Sequence, residues 1–140
     1  MAKLIFKKRI VPDAGRVLAE LSSVEEVDNR FYDPNTQKPD MARRLQWNFE
    51  YVDKPGMQII LWSSFSLSTF KGKKSKALTI TETLLARELS EKEKEDLNDT
   101  SSLVGKRCYL TVKHEKTEDG QTYAKVIDFE SATDEDEVPR

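Results

Sequence analysis

The chain has 140 residues, 37% hydrophobic and 34% charged, with six Phe, four Tyr and two Trp, which suffices for one domain with its own core and excludes a disordered polymer. A single cysteine, Cys108, and a single histidine, His114, exclude an intramolecular disulfide and a Cys/His metal site, and no apolar run reaches the length of a secretion-signal core or a membrane span, so a soluble, cytoplasmic protein without a cofactor is expected. The net charge of −2 hides a segregation: from Glu130 onward Glu130, Asp134, Glu135, Asp136 and Glu137 face only Arg140, leaving 22 basic and 20 acidic residues in the body.

Residues 1–15 read as an arm outside the domain. Lys3, Lys7, Lys8 and Arg9 surround Leu4, Ile5, Phe6, Ile10 and Val11 before Pro12, Asp13 and Gly15 break the pattern. A short apolar strand of this kind can add to a neighbour's sheet edge, so Leu4, Ile5 and Phe6 are candidate contacts for a homo-oligomer; the alternative is an unstructured terminus. From Arg16, the residues Val17, Ala19 and Leu21 alternate, and Val24 and Val27 follow after a change of phase that predicts a bulge in a long first strand ending near Val27.

The loop FYDPNTQKPDMA follows, with turn-forming Asp33-Pro34-Asn35 and Lys38-Pro39-Asp40. A second strand, about Arg44 to Val52, places Leu45, Trp47, Phe49 and Tyr51 on one face and Arg44, Gln46, Asn48 and Glu50 on the other. Asp53-Lys54-Pro55-Gly56 closes a hairpin onto a third strand from Met57 to about Leu67. SKALTITETLLAREL has leucines at helical intervals despite its β-branched threonines, and Ser90 with Glu93 predicts a capping box for a second short helix. Strands from Lys106 to His114 and from Thr122 to Phe129, joined through Asp119-Gly120, complete the body; residues 131–140 are an acidic, disordered tail.

Strand, strand, strand, helix, strand, strand is the order of a mainly β protein with a helical insertion: a five-stranded OB-fold, or Greek-key barrel, over residues 16–130 with its helix between strands three and four. The alternative, a five-stranded SH3-like barrel, rarely carries such an insertion.

In the GKKSKAL entry to the helix, the SLVGKRCYLTVKHEKTEDGQTYAKVIDF hairpin and the acidic end, the chain resembles small OB-fold single-stranded-DNA-binding and accessory proteins of phages and conjugative plasmids. The resemblance spans about Arg16 to Phe129. It implies nucleic-acid binding with little sequence preference, in replication, recombination or conjugative transfer. The chain departs from the better-known bacterial single-stranded-DNA-binding proteins in ending Val-Pro-Arg, without an acidic Pro-Phe tip, and in lacking their long Gly/Gln-rich linker.

Aromatic rings beside ammonium groups can stack bases and neutralise phosphates, which points to single-stranded DNA, with duplex DNA and RNA as other ligands of the same chemistry. If the rings of strand two build the core, its ligand face is Arg44, Gln46, Asn48 and Glu50. Trp62 on strand three, Tyr109 beside Arg107 on strand four, and the loop aromatics Phe31 and Tyr32 are candidate stacking groups, each with a plain packing alternative. Lys71, Lys73, Lys74 and Lys76 are the densest basic patch, either a solvated turn or a phosphate site with strong salt dependence. The acidic tail suits a protein partner, the protein's own basic groove, or solubility alone. His114 stands alone, and no phosphate loop or metal-spaced carboxylates occur, so no catalytic residues are expected. An OB-fold adaptor or inhibitor without nucleic-acid binding is the alternative function.

Overall fold

Alternation of apolar and polar residues makes the strands, and their register sets where the core lies. The computed structural model describes residues 11–30, 32–37, 42–97 and 100–132, with the backbone alone at Phe70. In chain order the elements are β1 Gly15–Asp28, β2 Arg43–Tyr51, β3 Gln58–Ser63, the short strands β4 Thr69–Phe70 and β5 Lys73–Lys74, α1 Lys76–Leu85, α2 Glu91–Asp96, a 3-10 turn at Ser101–Leu103, β6 Arg107–Lys116 and β7 Thr122–Ser131. Five strands form one antiparallel sheet in the order β3, β2, β1, β6, β7, while β4 and β5, among the described residues, pair only with each other. No ladder joins β3 to β7 among the described residues, so the sheet is open.

The inner face carries the core. Ala19 and Leu21 of β1, Trp47, Phe49 and Tyr51 of β2, Ile59 and Leu61 of β3, and Cys108, Leu110 and Val112 of β6 are buried there, under Ala77, Ile80 and Leu84 of α1. β3, apolar in both phases, thus turns Ile59 and Leu61 inward and leaves Ile60 and Trp62 outside. It ends at Ser63 rather than near Leu67, where the Ser63 hydroxyl accepts from Trp47 Nε1 at 2.8 Å and donates to the Ser64 carbonyl at 2.9 Å.

The phase change in β1 is a bulge. Leu21 pairs with Phe49 and Ser23 with Asn48, so Ser22 is the extra residue, its hydroxyl donating to the Asn48 carbonyl at 2.9 Å. Ser75 caps α1 by accepting from Leu78 N–H, and the hydroxyls of Thr79, Thr81 and Thr83 bond the carbonyls of Ser75, Ala77 and Thr79, which accommodates the β-branched run. The helix stops at Leu85, short of Leu89, because Ala86 takes a left-handed conformation (φ 58°). α2 carries the expected capping box, Ser90 accepting from Glu93 N–H and Glu93 from Ser90 N–H.

Burial pushes the Cys108 thiol up to about 12, and burial together with the neighbouring Asp13 charge pushes the Tyr51 hydroxyl up to about 12, where it also donates to the Asp13 carbonyl at 2.7 Å. In the unfolded chain both groups ionise near 9.0 and 10.0. Above pH 9 the unfolded state therefore sheds protons that the folded state keeps, and stability falls as pH rises toward 12. Urea midpoints should decline from pH 9 to 11, and Cys108→Ala should flatten the first part of that decline.

Candidate nucleic-acid interface

The outer face is ordered by the same registers. Ile60, Asn48 and Ser23 form one row across β3, β2 and β1, and Trp62, Gln46 and Glu25 form the next. Glu50, Glu20 and Arg107, then Leu18, Tyr109 and Glu130, continue the face onto β6 and β7. Arg44, Gln46, Asn48, Trp62, Arg107 and Tyr109, singled out from sequence, therefore share one surface.

Two rings on this face carry arginines. The Arg44 guanidinium lies 4.0 Å from the Trp62 ring centroid and that of Arg16 lies 3.7 Å from the Tyr109 centroid. Trp62 is 36% exposed and Ile60 43%. Arg44, Trp62, Ser63 and Ser64 line a shallow groove of about 260 Å³ with Asn29 and Arg43. The Nε of Arg44 is buried without a hydrogen-bond partner, so ring stacking rather than hydrogen bonding holds this part of the side chain.

Between the two stacks lies a polar network. Gln46 Nε2 donates to Asn48 Oδ1 at 2.8 Å and to Glu25 Oε2 at 3.4 Å; Asn48 Nδ2 donates to Ser23 Oγ at 2.9 Å and to Glu25 Oε2 at 3.5 Å. Charge on the face is mixed and mostly paired: Arg107 with Glu20 at 3.1 Å, Arg16 with Glu130 at 2.9 Å, and at the edge Arg43 with Glu26 at 2.7 Å and Asp28 at 3.1 Å.

The lysine cluster sits elsewhere in the chain's local structure, on the β4–β5 hairpin and the start of α1. Lys71 and Gly72 form its two-residue turn with φ of 51° and 78°, the sign that such hairpin turns require. Lys74 is committed to carboxylates: its Nζ meets Glu82 at 2.6 Å and Glu88 at 3.4 Å. Burial would raise the pKa of Glu82, yet the Lys74 hydrogen bond and the Leu89 N–H, donated at 2.7 Å, hold it below the usual carboxylate range. The bond to Glu82 keeps the Lys74 pKa above its ordinary value in turn. All four lysines, Lys71, Lys73, Lys74 and Lys76, are exposed.

Tyr32 lies in the loop after β1, partly buried, its N–H donated to the Asn29 carbonyl at 3.1 Å. Phe31, the arm residues Leu4, Ile5 and Phe6, and the tail from residue 133 lie outside the described residues. Arg16, Ser23, Glu25 and Ile60 join the face without having been singled out from sequence. Glu25 was hidden by the bulge, which shifts the alternation by one residue, and Arg16 by a partner ring 93 positions away in the chain.

No protein-family model and no curated protein matches the chain. Among the described residues no group of His, Cys, Asp and Glu is placed to hold a metal, and no helix is long and apolar enough to cross a membrane.

Proposed function

We propose that the chain binds single-stranded DNA with little sequence specificity, in phage or plasmid replication, recombination or conjugative transfer in the cytoplasm, and that its sheet is an OB-fold barrel. The observation that carries this reading is the exposed Trp62 ring with its stacked Arg44, on the β2–β3 face where OB-folds hold oligonucleotides. Support for the barrel comes from the central β1, bulged and paired with both β2 and β6, and from α1, which packs against β6 and β7 and takes a 2.9 Å hydrogen bond from Ser131 to the Thr83 carbonyl. Homo-oligomerisation through Leu4, Ile5 and Phe6, and a protein partner for the acidic tail, belong to the same proposal.

Bases would face the sheet and phosphates would point to solvent and toward Lys71, Lys73 and Lys76. Because Lys74, Arg107 and Arg16 already serve carboxylates, salt dependence should be gentler than the lysine count suggests. Fluorescence anisotropy with labelled oligo-dT should give binding at low salt whose log–log salt slope is about −2, at roughly 0.7 per phosphate neutralised. Absence of binding at low salt, or binding indifferent to salt, would overturn the proposal. Duplex DNA and RNA in parallel identify the preferred strand type.

One observation favours a second reading. Glu20, Glu25, Glu50 and Glu130 all lie on the outer face, which suits a basic protein partner as an adaptor or inhibitor; this reading predicts no oligonucleotide binding.

A further inference from the structure

We infer that Glu25, with Gln46 beside it, recognises guanine through the adjacent N1–H and N2–H groups of its Watson–Crick edge, giving an otherwise sequence-tolerant surface one preferred base position. This rests on the proposed binding of single strands over the outer face.

Three features lead to Glu25. The first is its placement. In the first half of β1 the odd-numbered Ala19 and Leu21 point into the core, and only the extra residue Ser22 turns Ser23 and Glu25 outward, opposite Asn48 and Gln46. Bulges re-aim side chains in this way. The second is its lack of a counter-ion. Glu20, Glu26 and Glu130 each meet an arginine, whereas Glu25 has no cation within ion-pair distance among the described residues.

The third is hydrogen-bond capacity. A carboxylate only accepts, so both amide nitrogens must face Glu25, and this fixes the orientation of Gln46 and Asn48. Both hydrogens of Gln46 Nε2 and both of Asn48 Nδ2 are then spent inside the network. What remains beside Trp62 is a pair of acceptors, Glu25 Oε1 and Gln46 Oε1, without a hydrogen bond among the described residues.

Such a surface selects a ligand edge made of donors. Guanine presents N1–H and N2–H₂ side by side, matching the two open acceptors, Glu25 Oε1 and Gln46 Oε1. Cytosine and adenine each set one amino group beside a ring nitrogen that accepts and would face carboxylate oxygen, and thymine has one N–H between two carbonyls. Trp62 and Glu25 share a row two strand spacings wide, about 10 Å between backbones, which a stacked purine and one hydrogen bond span. A negative charge here disfavours phosphate, so the base, not the backbone, is the group that meets it.

The test uses the full chain and fluorescence anisotropy on a labelled dT 12-mer, compared with strands in which one central thymine is replaced by guanine, inosine or cytosine. Guanine should tighten binding about tenfold, the discrimination typical of a bidentate contact. Inosine, which keeps N1–H and lacks the N2 amino group, should lose much of that gain, and cytosine should show little. Glu25→Gln, with an unchanged urea midpoint, should bring the guanine-to-thymine ratio to near one while dT binding persists or strengthens. A guanine effect under about twofold, a preference for cytosine, or a ratio untouched by Glu25→Gln would overturn the inference while leaving strand binding intact. Failure of every strand to bind would remove both, and is thereby distinguishable.

Discussion

Trp47→Ala should lower the unfolding free energy by about 3–5 kcal/mol, the usual cost of deleting a large buried ring. Trp47 is 1% exposed, paired across the sheet with Val24 and Leu61, and its indole N–H is the donor to Ser63 that fixes the end of β3. The substitution removes the ring's contacts, opens a cavity, and deprives the Ser63 hydroxyl of its buried donor. Trp47→Phe should cost less, since it keeps most of the volume and loses chiefly the hydrogen bond. Urea denaturation at neutral pH measures both, and a loss under about 1 kcal/mol for the alanine variant would contradict the placement of this ring in the core.

Trp62→Ala should behave in the opposite manner. Its ring lies outside, 36% exposed, with Arg44 against it, so stability should fall only by about the 0.5–1 kcal/mol of an exposed cation–π contact. Affinity for oligo-dT should fall by about 1–3 kcal/mol, the worth of one stacked base. An unchanged affinity with an unchanged fold would move the binding surface away from β3, and the hairpin lysines would then have to carry it alone.

Much of this arrangement is legible in the sequence because strand periodicity is a direct imprint of the two faces. Leu45, Trp47, Phe49 and Tyr51 alternate cleanly, and they are the inner face of β2; the interleaved Arg44, Gln46 and Asn48 are the outer one. Ser90 and Glu93 announce a helix start because a capping box is a local arrangement of four residues. Properties that depend on distant pairing are less legible. β3 is apolar in both phases, so only its ladder with β2 decides that Ile59 and Leu61 go inside while Ile60 and Trp62 stay out. The run of lysines looked like one basic patch, yet Lys74 answers Glu82 and Glu88 from the far side of a hairpin whose two strands contain only two residues each. The bulge was visible as a change of phase, whereas its consequence, a carboxylate turned onto the outer face, required the partner strand to be known.

The two tryptophans, Trp47 and Trp62, divide the molecule between core and proposed ligand surface, and the most direct measurement follows each one separately. In a nitrogen-15 correlation spectrum of the full chain, the two indole N–H resonances are assigned by Trp47→Phe and Trp62→Phe and tracked while oligo-dT is added at low salt. The Trp62 resonance should shift or broaden progressively to saturation while that of Trp47, bonded to Ser63 in the interior, stays in place. Saturable binding that leaves Trp62 unmoved, or that moves Trp47 instead, would contradict the assignment of the outer face as the site where single strands bind.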